Sequence, residues 1–251
     1  MTAKDDYEEY MAARHRPTHG RRTADRWAAF LLPHLRPELR VLDLGCGPGS
    51  ITVGLGADAI GVDVAPVPID GVPVAAADGA ALPFRDGSFD ALYANAVLQH
   101  VPDPLAVLVE ARRVARPGAV VGVGDADWDG ILFHPHDPLI DRGNEVHEAL
   151  RPGSSVRVGR ELRGLLEAAG FERCVASATG HAEGTADAVG WLASFESSWF
   201  AAPEVVAHAV SLGASSADEM AAIADAWTRW AADPGAFVAR FWITALGWVP
   251  S

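Results

Sequence analysis

Val41-Leu42-Asp43-Leu44-Gly45-Cys46-Gly47-Pro48-Gly49-Ser50 is the stretch on which the fold turns. An apolar run interrupted only by Asp43 leads into glycines spaced Gly-x-Gly-x-Gly, so a buried strand runs into a turn that only residues without a side chain make easily. Such a turn lets the backbone approach a bound nucleotide closely. The details depart from a dinucleotide site. Ser50 stands where that fingerprint has Gly or Ala, and Pro48 removes a backbone donor that a pyrophosphate would use. Asp43, two residues before Gly45, would repel a pyrophosphate and attract an ammonium group. The expected ligand is therefore a nucleoside carrying a cationic amino-acid tail. Asp63 closes the next apolar run 18 residues after Gly45, where a carboxylate accepts from both ribose hydroxyls. Asp78-Gly79 follows the third run, where a carboxylate can take an adenine amino group.

Outward from the turn, short apolar runs alternate with helical patterns. Strands are expected at Arg40–Leu44, Ala59–Asp63, Val72–Ala77, Phe89–Asn95 and Gly118–Gly124, with a helix over Pro104–Ala115. That alternation means βαβ units and a parallel sheet. Before it, Trp27, Phe30, Leu31, Leu32 and Leu35 recur at helical spacing, so residues 1–40 read as helical up to Pro37. After it, an amphipathic helix over Gly159–Ala169 is capped by Gly170 and precedes a strand at Phe171–Ala178. Residues 185–212 and 215–232 read as two helices rich in tryptophan and alanine, and Phe237–Val249 as a closing strand. The segment 127–156 reads as irregular, a candidate substrate loop.

Composition narrows the partners. The chain has 251 residues, 49% hydrophobic and 21% charged, enough to bury a large core. Its net charge of -13 repels phosphate backbones, leaving Arg14, His15, Arg16, His19, Arg21 and Arg22 as one short basic patch, so no nucleic-acid partner is expected. No run reaches the roughly 18–20 apolar residues that span a bilayer, and no secretory signal is visible, so a cytoplasmic location is expected. Cys46 and Cys174 make neither a disulfide framework nor a metal cluster, and Cys46 reads as an inert turn residue.

The turn, together with Gly61-Val62-Asp63, Asp78-Gly79, Leu82-Pro83-Phe84, Phe89-Asp90, Leu98-Gln99-His100-Val101 and Arg113-Val114-Ala115-Arg116-Pro117-Gly118, resembles the class I S-adenosylmethionine-dependent methyltransferases, in the branch of the ubiquinone/menaquinone C-methyltransferases. The likeness covers roughly residues 35–125. It implies a Rossmann-like α/β fold with a seven-stranded, mostly parallel sheet and helices on both faces. It also implies an N-terminal helical arm or lid (1–36) and a binding domain (37–251) in which 127–156 and 185–232 form the acceptor-side insertion and cap. By the same resemblance Gly45, Cys46, Gly47 and Gly49 shape the cofactor turn. Asp43 lies near the methionine moiety, Asp63 and Val64 at the ribose, and Asp78 and Gly79 at the adenine. Ala94, Asn95 and Gln99 border the methionine amino group, with Arg22 a partner for its carboxylate.

The acceptor is expected to be a small molecule, aromatic or apolar, of natural-product or quinone-like character. Carbon methylation needs no base, whereas a hydroxyl acceptor does; Tyr7, Tyr10, His100 and His134 are the available groups. His100 can equally close a helix turn. Asp125, Asp127 and Trp128 follow the fifth strand, at the carboxyl end of the sheet where ligands bind. Met11 and His15 accompany the tyrosines on the arm, and Trp191 and Phe195 belong to an aromatic stripe that serves either core or pocket. His134 and His136 flank a proline in a loop, and no metal is expected. A cofactor-binding protein without turnover would carry the same motifs, and a nicotinamide-dependent oxidoreductase would share the fold.

Overall fold

Alternation along the strands decides where each side chain goes. In the computed structural model, which describes residues 2–20, 22–56, 58–151, 153 and 155–251 without the side chains of residues 8, 12 and 15–19, the first strand is β1 (Arg40–Leu44). Leu42 and Leu44 face one hydrophobic core and Val41 another. β4 (Phe89–Asn95) repeats the pattern, with Leu92 and Ala94 on the first side and Ala91 and Tyr93 on the second. A strand buried on both faces reads as a continuous apolar run.

Seven strands form one sheet in the order β3-β2-β1-β4-β5-β7-β6, the Rossmann-like arrangement. The remaining strands are β2 (Asp58–Asp63), β3 (Val74–Ala76), β5 (Ala115–His134), β6 (Glu172–Glu183) and β7 (Phe237–Trp248). β1 pairs in parallel with β2 and β4, β2 with β3, and β4 with β5. The chain order reverses beside β1, so the crevice outside the carboxyl ends of β1 and β4 is the switch point at which such sheets bind ligands.

The chain divides into two compact units. The sheet unit comprises His15–Asp127, Ser155–Thr179 and Trp242–Ser251; the helical unit comprises Met1–Arg14, Trp128–Ser154 and Gly180–Phe241. The arm expected over residues 1–36 is thus shared between them. In the sheet unit, α2 (Ala24–Trp27) and a short 3-10 turn at Leu32–His34 pack on the Val41 side. α3 (Pro104–Val114) and α5 (Val158–Ala168) pack on the other. Asp103 caps α3 by accepting from the Ala106 N–H, with Pro104 opening the helix. Gly170, at φ +89°, ends α5 as its position in the sequence indicates.

The helical unit holds α1 (Ala3–His19, its last residues in the sheet unit), α4 (Pro138–Ala149), α6 (Ala186–Phe200), α7 (Pro203–Ser211) and α8 (Ala217–Ala231). Asp137, Thr185 and Ser216 cap α4, α6 and α8. Three expectations change here. The helical reading of residues 1–40 breaks up, because Gly20 follows α1 and Pro33 holds only a 3-10 turn. Of the segment 127–156, expected to be irregular, residues 127–134 form the end of β5 and Pro138–Ala149 form α4. Residues 185–212 form two helices rather than one, since Pro203 starts a new helix after the break at Ala202.

Leu92 is fully buried at the centre of the sheet, whereas Val109 on α3 is 50% exposed. Leu92→Ala is expected to cost about 2–5 kcal/mol of unfolding free energy by urea titration. Val109→Ala should stay within about 0.5 kcal/mol.

Candidate active site

The turn after β1 is tied to the end of β2 by its backbone. The N–H groups of Gly45 and Cys46 both donate to the Val62 carbonyl, at 2.7 and 3.0 Å. Gly45 sits at φ +66°, and a Cβ there would meet Val97 at 2.3 Å; at Gly49, φ +76°, it would meet Ile69 at 2.2 Å. Both positions exclude any larger residue on two separate grounds. Gly47 differs: nothing lies within 4 Å of where its Cβ would stand, so the backbone there is open to a ligand. Its N–H donates to Asp63 Oδ2 at 2.9 Å, and the Ala65 N–H donates to Oδ1 at 3.0 Å. Two backbone donors thereby fix the carboxylate at the tip of β2, each oxygen keeping acceptor capacity. Val64 beside it is 76% exposed. Asp78 is exposed after β3 and accepts from the Ala80 N–H, while Gly79 lies against Val107. Burial, with Asp43 and Asp63 near, pushes the Cys46 thiol up to about 12, so it is no nucleophile.

Behind the turn, Asp43 is buried and accepts from the Thr52 hydroxyl at 2.6 Å. Burial, with the nearby Asp63 charge, raises its carboxyl to about 7 against the Thr52 hydrogen bond. At the end of β4, Ala94 and Asn95 are buried; Asn95 Oδ1 accepts from Trp242 Nε1 at 3.1 Å, while its Nδ2 has no partner. Ala96 follows at φ +58°, a left-handed position held by an N–H bond to the Gly124 carbonyl at 2.8 Å. Asp125, fully buried at this point of β5, accepts from the Gln99 and Ala126 N–H groups at 3.1 and 3.0 Å, and burial raises its carboxyl to about 7. Arg22 lies over the rings of Trp27 (4.6 Å) and Trp242 (5.6 Å), and burial lowers its pKa. Thr52, Trp27 and Trp242 are absent from the sequence-based site; alternation along the closing strand is the signal that marks Trp242.

The other candidates separate. Asp127 is buried and paired with Arg160 through two hydrogen bonds of 2.5 Å. His100 is exposed at the end of the 3-10 turn Leu98–His100. Apart from His15, which belongs to the sheet unit, the remaining acceptor-side residues fall in the helical unit. Tyr7 is buried and stacked on His208 at 4.5 Å. Arg14 joins Tyr10 and Phe195: it donates to the Tyr10 hydroxyl at 3.2 Å and to the Phe195 carbonyl, and lies over the Phe195 ring. Trp191, 54% exposed, stacks on Phe195. Met11 sulfur accepts from Trp199 Nε1, Trp128 tilts against His147, and His134 is exposed, its carbonyl accepting from Trp230 Nε1. The side chain of His15 lies outside the described residues.

Residues 42–123 match the family model described as a methyltransferase domain. The chain is 31% identical over 174 residues to an uncharacterised methyltransferase of Schizosaccharomyces pombe, covering 59% of this chain and 62% of that one. It is 35% identical over 122 residues to the 27-O-demethylrifamycin SV methyltransferase of Amycolatopsis mediterranei, covering 41% and 44%. Among solved structures, the BH2331 protein of Bacillus halodurans superposes with a TM-score of 0.59 at 15% identity, covering 90% of this chain and all of that one. The fold is that of the class I methyltransferases. The chain spans about half the length of the curated relatives it matches. Among the described residues no helix is long and apolar enough to cross a membrane.

Asp43 carries a pH signature. Its carboxyl sits near 7 when folded against an ordinary value of 3.8, so the folded chain holds a proton that the unfolded chain releases. The resulting stability is complete below about pH 4 and is lost as pH rises through about 7. Asp43→Asn keeps an acceptor for Thr52, and should flatten the decline in unfolding free energy between those limits by on the order of 3 kcal/mol. Urea titrations of both proteins across that range give the measurement.

Proposed function

We propose that the chain transfers a methyl group from S-adenosylmethionine to a small aromatic or apolar acceptor of natural-product or quinone-like type, with carbon the favoured site. The observation that carries the reading is the set of groups at the carboxyl ends of β2, β1 and β4: the fixed Asp63 carboxylate, the open backbone at Gly47 and the unpartnered buried Asn95 amide. These fit the cofactor. Asp63 would accept from the ribose hydroxyls, with Asp78 and Gly79 beside the adenine. Asn95 Nδ2 would donate to the amino-acid tail, and Arg22 would pair with its carboxylate. A cationic ligand beside Asp43 would also draw that carboxyl back to its charged form.

Bound S-adenosylmethionine supplies a methyl carbon that is already electrophilic. The protein then has to align a nucleophile behind it and keep water out. An electron-rich ring carbon needs no base; a hydroxyl does. Two relatives, the rifamycin enzyme and a sterol 24-C-methyltransferase of Gibberella zeae, support an apolar small-molecule acceptor.

Calorimetric titration with S-adenosylhomocysteine tests the site. Wild type should bind it, and Asp63→Ala should bind about 1–3 kcal/mol more weakly, the cost of losing a buried hydrogen-bonding partner. Asp63→Asn, which keeps one acceptor for the Gly47 N–H, should fall between. Binding of NAD in place of S-adenosylhomocysteine, or of neither, removes the methyltransferase reading.

A further inference from the structure

β6 ends the sheet, with β7 as its neighbour in the strand order, so one of its two backbone edges meets no other strand among the described residues. Its side chains are as open as that edge. Val175–Gly180 are exposed without a break, whereas Val41–Leu44 of β1 are all buried. An edge strand presents a row of backbone donors and acceptors, and chains that stay single blunt it with proline, lysine, inward charges or a covering element. β6 has neither proline nor lysine, and no charged residue stands between Arg173 and Glu183. Its interior is Cys-Val-Ala-Ser-Ala-Thr-Gly-His-Ala, mostly small side chains beside which a second strand can lie close.

Arg173 enters the strand at φ +55°, and alternation holds across it. Its guanidinium lies 4.7 Å over the ring of Trp248, which packs on the Val41 side of the sheet, while Cys174 packs on the opposite core, that of Leu42 and Leu44. Within the chain Arg173 pairs with its own neighbour Glu172 at 3.8 Å, an exposed ion pair of little worth.

The sequence of the edge says what fits it. Along a strand, successive residues turn their N–H and C=O groups to opposite edges. When two copies of one edge pair antiparallel about a two-fold axis, outward-turned residues must face outward-turned residues, so opposed positions differ by an even number. Any register that sets Glu172 against Glu183 is thereby excluded. The allowed register centred on Ala178 sets Arg173 opposite Glu183 at both ends. On the same face it sets Val175 opposite His181 and Ser177 opposite Thr179; on the other, Cys174 meets Ala182 and Ala176 meets Gly180. Opposite charges and paired hydroxyls are the cross-strand combinations that stabilise antiparallel sheets. Sliding the strands one allowed step either way removes both charge pairs.

We propose that β6 is the self-association edge of this protein: two copies pair their β6 strands antiparallel, with Arg173 of each opposite Glu183 of the other, and one sheet runs through both. The pairing is independent of the methyltransferase reading. β5 and β7 stand between β6 and the crevice at β1 and β4 in the strand order, so each copy keeps its own candidate cofactor site.

Sedimentation equilibrium of the full chain at physiological salt tests it. Wild type should show a concentration-dependent equilibrium between monomer and dimer. Arg173→Glu and Glu183→Arg should each weaken the dimer about tenfold or more, since two attractive pairs become two repulsive ones. Mixed in equal amounts, the two variants should associate again, because each supplies the charge that the other lacks. General repulsion between acidic chains would instead move the two variants in opposite directions, as one adds negative charge and the other removes it. Neither residue is buried, and circular dichroism checks the fold of each variant. A wild type that stays monomeric up to about 100 μM overturns the proposal, whatever the variants do. So does a dimer that neither reversal weakens, or one that mixing fails to restore.

Discussion

Everything at the candidate cofactor site depends on the carbonyl of Val62, which takes two N–H groups from the turn after β1. That pair of hydrogen bonds fixes where β1 ends relative to β2, because Leu44 is paired with Val62 in the parallel ladder. Neither Gly45 nor Gly49 can carry a side chain, so the turn cannot be rebuilt one residue away without a clash against Val97 or Ile69. Once the turn is set, Gly47 is brought to Asp63, and the carboxylate becomes part of the turn as well as a ligand group. Position and chemistry here are one constraint.

The sheet unit was legible because its periodicity is simple. Strands buried on both faces leave unbroken apolar runs, and the glycines and aspartates that end them coincide with the ends of β1 and β2 in the structure. Less legible was what each acidic group does once folded. Asp43 has its partner nine residues on, in Thr52, and Asp127 has its own in Arg160 on a helix reached only after α4. A carboxylate named as a ligand group from its place after a strand can equally be occupied by the protein. Asp63 is bound by backbone and keeps lone pairs; Asp127 is held by both arms of a guanidinium.

In the helical unit the difficulty is of another kind. The stripe Trp191, Phe195, Trp199 and Phe200 reads as apolar and conceals Glu196 among it. Val189, Leu192, Ala193, Glu196, Trp199 and Phe200 are the buried residues of α6, and their spacing is helical throughout. The periodicity that marks a core therefore also marks the one acid on the buried face. His147 offered less, standing in a stretch with few apolar neighbours that reads as loop. Only α4, capped by Asp137 and opened by Pro138, turns it inward.

Burying an acid and an imidazole in such a core is costly, because the desolvation of Glu196 is offset only in part by Arg240 and His147 at 3.5 and 3.6 Å. Apolar residues of similar volume would hold the helices together at least as well. Packing therefore explains the tryptophans and phenylalanines around these groups, and does not explain the groups themselves. Glu196 is held from two sides, by His147 and Arg240, while Trp227 Nε1 and Arg240 Nε form no hydrogen bond within the protein. Buried polar atoms that the protein leaves incomplete are completed by ordered water or by a bound group.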